Sequence, residues 1–189
     1  MAALRPITAA AAGLLSAGIG MAPLPAAGSL FLAKDVDGSK FILVAAPIGG
    51  SGSAQLNIYE QKKDTRPCYS REGDGPTVVK PLLASFDFTG ICGRYMDSNG
   101  YSVRVGAQDF GSAMRMSVVP DDNDLLLLGT GRDGSTVVLA RTEGLADGFL
   151  ELKLEPGWTL KRRHYGERAL GHIYVHRDTM PEPASEEEN

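Results

Sequence analysis

Cysteine occurs only twice and histidine three times in 189 residues, with no Cys-x-x-Cys pair and no His-Glu-x-x-His run. Tetrahedral metal centres need such ligands closely spaced, so no metal site is expected. The Gly-x-Ser-x-Gly elbow of serine hydrolases and the phosphate-binding P-loop are also missing. There is no excess of positive charge: 19 Lys and Arg stand against 23 Asp and Glu, a formal net charge of −4. A nucleic-acid surface needs a concentrated basic face, so nucleic acid is excluded as a partner class. No window of a dozen residues carries a helical stripe, and no internal repeat is present. No cofactor is implied.

What is there fits one ordinary globular domain, 43% hydrophobic and 22% charged. Arg5 is the only charge before Lys34, and Ile7 to Met21 is an unbroken run of small and apolar residues. The small, Pro-broken stretch Ala22 to Ser29 follows, as at a signal cleavage site. Residues 1–28 therefore read as a secretory signal, with an uncleaved membrane anchor as the competing reading. The run is Ala/Gly-rich, and Pro23 and Pro25 end it, which favours export to the periplasm, cell envelope or exterior. Residues 29–180 form the domain, with no integral span once the signal is removed. Residues 181–189, rich in Glu, read as a solvated, disordered acidic tail.

In an oxidising compartment an even cysteine pair, Cys68 and Cys92, is most simply a disulfide. It closes a loop of about 25 residues, worth roughly 3 to 4 kcal/mol in the chain-entropy model. The competing reading is a catalytic or metal-binding thiol, for which neighbouring ligands are missing.

Beyond Asp35 short apolar runs alternate with turn residues. Ser39 to Ala46 reads as a strand buried on both faces, and Gln55 to Glu60 as another, joined by the flexible run Pro47 to Ser53. Lys62 to Gly75 is a polar loop, and Leu82 to Thr89 is the next strand candidate. Asn99-Gly100 signals a hairpin turn, because both residues tolerate positive φ. In Tyr101 to Asp109, Val103, Val105 and Ala107 alternate with Ser102, Arg104 and Gln108, which predicts one buried and one wet face. Strands follow at Met114 to Val118, Leu125 to Leu128, Thr136 to Ala140, Leu150 to Leu154, Trp158 to His164 and Gly171 to His176. The pattern predicts an all-β single domain, an antiparallel sandwich or barrel with one disulfide.

Several constellations resemble sites. Gly129 to Gly134 matches Gly-x-Gly-x-x-Gly, with Glu151 where a ribose-binding acid would stand. That site requires a helix after the glycines, whereas Ser135 to Gly144 is β-branched and broken, so a hairpin loop is expected. His172 and His176 lie about 13 Å apart if they share a strand, too far to hold one ion. A two-residue turn at Tyr165-Gly166 would set Trp158 opposite Ile173 and place His172, Tyr174 and His176 on the wetter face. The acidic clusters at Asp97 and at Asp121 to Asp124 fit turn chemistry better than an EF-hand. Lys161, Arg162 and Arg163 read as a solvated basic spot near a hairpin tip, or as a contact for acidic polymers.

Phe86 to Arg94 followed by Asp97 to Ser102 resembles a family of exported cyanobacterial proteins known as domain of unknown function 3747. The likeness extends from about Phe41 to Val175, through Arg66-Pro67-Cys68, Gly148 to Leu150, Pro156 to Trp158 and Leu170 to Tyr174. Tyr69 and Tyr165-Gly166 stand where the family often has Trp and Asn-Gly. The resemblance implies a cysteine-paired exported domain and no established activity. The expected role is a non-catalytic binding or structural module of the envelope or surface, with an envelope polymer or protein as partner. Arg94, Asn99, Arg104 and Gln108 form its candidate contact surface. The alternative is an enzyme acting on envelope polysaccharide, with acid and base drawn from Asp87, Asp97 and Asp109.

Overall fold

The computed structural model describes residues 30–50, 52–82 and 90–181. The signal segment, all but Pro181 of the acidic tail, and the Leu82 to Thr89 strand apart from Leu82 lie outside the described residues. Fourteen strands are described: β1 (Leu32–Asp35), β2 (Phe41–Ile48), β3 (Ser53–Gln61), β4 (Tyr69–Glu72), β5 (Val78–Pro81), β6 (Cys92–Tyr95) and β7 (Tyr101–Val105). The series continues with β8 (Gln108–Asp109), β9 (Met114–Asp121), β10 (Asp124–Gly131), β11 (Thr136–Arg141), β12 (Phe149–Leu154), β13 (Thr159–Tyr165) and β14 (Arg168–Arg177).

Six of them close an antiparallel barrel in the order β11-β10-β9-β3-β2-β12, with β12 returning to β11 through the pairs Ala140–Leu154 and Arg141–Lys153. Closure leaves no free edge on these strands where they pair. The barrel splays at two places, where β3 exchanges β9 for β6 and β12 exchanges β11 for β5. A second, five-stranded half-barrel sheet runs β1-β13-β14-β7-β8. The expected all-β class, barrel and disulfide are present. Every ladder is antiparallel except β14–β7, whose strands are joined through β8 to β13, four of them barrel strands, rather than by a hairpin.

One core serves both sheets. Leu43, Leu56, Ile58, Leu127, Leu139, Leu150 and Leu152 from the barrel meet Val103, Leu160, Ile173 and Val175 from the second sheet. The alternation in β12 is as expected: Leu150 and Leu152 face inward, while Glu151 pairs outside with Arg71 at 3.0 Å. β2 is buried on both faces, also as expected. Phe41, Leu43 and Ala45 enter the barrel, and Ile42 and Val44 join Tyr59, Val79 and the two cysteines in a separate outer cluster. The Cys68–Cys92 disulfide, with Cα atoms 5.9 Å apart, ties that outer cover down.

Four expectations are corrected. First, Asn99-Gly100 does not close a hairpin; the chain leaves β6, paired with β3, and enters β7 of the other sheet. Neither residue adopts positive φ. Instead Asp97 builds the turn, its Oδ1 accepting the N–H of Asn99 at 2.9 Å and of Gly100 at 3.2 Å. Gly100 is required by space, because a Cβ there would sit 3.0 Å from the Tyr95 Cβ. Second, β7 has no wet face: Ser102 is 3% and Arg104 5% exposed.

Third, the β13–β14 register sets Thr159 opposite His176 and Arg162 opposite Ile173, with a bulge between Arg162 and His164 and the turn at Gly166-Glu167. The shift of four from the expected pairing keeps the faces but not the exposure, since His172, Tyr174 and His176 are all buried. Fourth, Lys161, Arg162 and Arg163 are no solvated spot. Each holds a carboxylate, respectively Asp35 at 3.1 Å, Glu60 at 2.6 Å and Asp109 at 2.7 Å.

Candidate functional site

The segment from Cys92 to Asp109 builds two polar arrangements, one on each side of its crossing between sheets. The first lies at the splayed end of the barrel. Arg162 projects to the core side of β13, and its guanidinium meets Glu60 at 2.6 Å and the Tyr95 hydroxyl at 3.0 Å. Tyr95 in turn donates to Glu60 at 2.6 Å. Burial first, and then the hydrogen bond to Glu60, pushes the Tyr95 phenol up to about 12, so it stays protonated as a donor. This triad stitches β3 and β6 of one sheet to β13 of the other.

Above the triad opens a cleft of about 660 Å³, lined by Lys62, Arg94, Asp97, Asn99, Arg162 and Gly171 among others. Its volume lies within the range of small-ligand sites. Arg162 is neutralised by Glu60, and Asp97 is engaged by backbone amides of its own turn. Lys62 and Arg94 have no carboxylate within ion-pair distance among the described residues. The cleft thus presents two cations at an open, polar mouth.

The second arrangement covers the outer face of the half-barrel sheet. Because Val103, Ile173 and Val175 enter the core, the alternate residues Ser102, Arg104, His172, Tyr174 and His176 face away from it. Asp109 binds them together. Its Oδ2 accepts from Tyr174 at 2.8 Å and from Arg163 at 2.7 Å, and its Oδ1 from the Gly111 N–H at 3.0 Å, with the Ser102 hydroxyl oxygen 3.1 Å away. Burial alone would raise the Asp109 carboxyl, but the Tyr174 hydrogen bond, Arg163 and the other donors outweigh it and hold it below its ordinary value. Arg163 lies 4.9 Å and Arg104 5.2 Å from the Tyr174 ring centre.

His172 completes the layer. Its Nδ1 lies 2.7 Å from the Asn99 carbonyl and its Nε2 2.8 Å from the Ser102 hydroxyl. A carbonyl only accepts, so Nδ1 carries a proton. Burial pulls the His172 pKa down, against the opposing pull of the Asn99 hydrogen bond and Asp109. Burial likewise lowers His176, with Lys161 adding to it. The Ser102–His172 contact has the spacing of a nucleophile and its base. However, Ser102 is only 3% exposed, sealed within the layer.

The predicted surface residues therefore separate. Arg94 and Asn99 meet at the cleft, Arg104 is sealed in the polar layer, and Gln108 is exposed on the edge strand β8. Asp97 and Asp109 lie in different arrangements, and Asp87 lies outside the described residues. Carboxylates that do share a groove are Asp35, Glu151 and Asp178, between β1–β13 and β2–β12. Gly129 to Gly134 spans the end of β10 and the hairpin turn into β11, with the Gly131 N–H donating to the Ser135 carbonyl at 2.8 Å and no helix following. The roles of Glu60, Lys62, Tyr95 and Arg162 were not visible in the sequence; only the family-like run around Cys92 pointed to that end of the molecule.

Among the described residues no group of three His, Cys, Asp or Glu is placed to hold a metal ion, and no helix is long and apolar enough to cross a membrane. No curated protein and no solved structure matches the chain. A family model described as a protein of unknown function (DUF3747) matches residues 7–180, which takes in both polar arrangements, the barrel and the disulfide. The chain belongs to that family.

Proposed function

We propose that the protein is an exported, non-catalytic binding module of the cell envelope or surface, and that it holds an acidic envelope polymer in the cleft above the Glu60–Tyr95–Arg162 triad. The observation that carries this reading is the pairing of a rigid floor with free charge. The triad fixes the floor through three hydrogen bonds of 3.0 Å or less, while Lys62 and Arg94 at the mouth lack carboxylate partners among the described residues. Cations held over a rigid scaffold suit the carboxylates or phosphates of a polymer, and an open cleft admits a chain rather than enclosing a small molecule. The signal-like N-terminus supports export.

Retention on isolated peptidoglycan and surface polysaccharide tests the reading. The purified protein is expected to be retained at low salt and released by salt, as exposed ion pairs are screened. Lys62→Ala with Arg94→Ala should lower retention at least ten-fold while leaving the fold intact. Equal retention of that variant, or no retention of the wild type, would contradict it.

The alternative, an enzyme acting on envelope polysaccharide, rests on the groove holding Asp35, Glu151 and Asp178. Asp35 and Glu151 are already engaged by Lys161 and Arg71. Release of new reducing ends from the retained polysaccharide would favour that alternative.

A further inference from the structure

A second groove, sharing no residue with the proposed polymer cleft, carries a different ligand chemistry. It has a volume of about 670 Å³ and is walled by Met114, Val137, Pro156, Trp158, Met180 and Pro181. Besides Ser135, Thr136, Arg141 and Glu155, two polar groups mark this lining. Trp158 is 5% exposed, and its indole N–H is buried without an acceptor. Nearly all buried donors in folded proteins are satisfied, so an unpaired one is exceptional.

The other is Arg177. Its Nη1 donates to the Pro156 carbonyl at 3.2 Å, and its guanidinium carbon lies 5.9 Å from the Trp158 ring centre. Gly157, at φ +85°, makes room for this placement, since a Cβ there would sit 3.1 Å from the guanidinium carbon. The guanidinium is thus seated by backbone and ring, yet no carboxylate lies within ion-pair distance of it among the described residues. The neighbouring Arg141 is bonded to Glu155, so those two rim charges cancel and Arg177 is left as the net charge of the groove.

We propose that this groove is a binding site for an amphipathic carboxylate: an apolar chain or ring laid against Met114, Val137 and Trp158, with its anionic head on Arg177. Apolar walls with a few convergent polar groups are the usual composition of a small-ligand site.

The protein contains a single tryptophan, so binding beside Trp158 is read directly from intrinsic fluorescence. Titration of the whole protein with decanoate is expected to give a saturable change, with 1-decanol at least ten-fold weaker. Arg177→Gln should abolish the preference for decanoate over decanol, and Arg177→Lys should restore part of it. Trp158→Phe, followed by calorimetry, should weaken decanoate several-fold. No saturable change with decanoate, or equal affinity for decanoate and decanol, would overturn the assignment. So would binding by a chain ended after Pro181 when the full chain does not bind. That result would give the groove to the chain's own acidic segment, Glu182 to Asn189.

Discussion

The barrel and the half-barrel sheet each carry a buried outer face, and the two are closed by unlike means. Over β2 and β3 the cover is apolar: Ile42, Val44, Tyr59 and Val79 pack beneath a segment fastened by Cys68–Cys92. Over β7 and β14 it is polar, with Asp109 gathering Ser102, Arg163 and Tyr174 while His172 ties the layer to the Asn99 carbonyl. Non-directional packing under a small cover leaves that cover dependent on a covalent tie. A network of charged hydrogen bonds needs no such tie, but every member depends on the others and on its protonation state.

This contrast gives a graded set of outcomes. The largest effect is expected from Cys68→Ala with Cys92→Ala, which should lower stability by roughly 3 to 4 kcal/mol in denaturant unfolding. Arg163→Ala should cost about 1.5 to 3 kcal/mol, because it leaves the half-buried Asp109 without its charged hydrogen-bond donor. Arg163→Met with Asp109→Leu should recover much of that loss, which a purely additive pair of defects would not.

A smaller effect is expected from pH. Burial holds His172 and His176 below the ordinary histidine value of 6.5, so at mildly acid pH the unfolded chain binds more protons than the folded one. Stability is full above that value and falls as the pH drops through it. Each histidine contributes at most ~1.4 kcal/mol per pH unit. His172→Gln should flatten the slope, and the cysteine variant should keep it. Gly100→Ala, which presses a methyl on Tyr95, should cost ~1 to 3 kcal/mol, the overpacking range. It should also disturb the cleft more than either cover.

Alternation was legible where it is local, as in Leu150 to Leu154, because the strand period alone assigns the faces. Polarity misled where partners are distant. Ser102, Arg104 and His172 read as wet, yet they are sealed by groups far along the chain: Arg163 lies 54 residues from Asp109, and His172 73 from Asn99. Asn99-Gly100 read as a hairpin because the dipeptide tolerates positive φ, but the side chain of Asp97 captured both amides first. The cleft was half visible, through Arg94 and Asn99. Its floor joins Glu60 to Arg162 across 102 residues, a pairing no local pattern announces.

Two covers held independently are distinguished most directly by amide hydrogen exchange of the oxidised and reduced protein at neutral pH. Reduction is expected to speed exchange in β2, β4 and β5 while β7 and β14 keep their protection. Equal loss of protection in β7 and β14 would show a single cooperative cover and contradict the division.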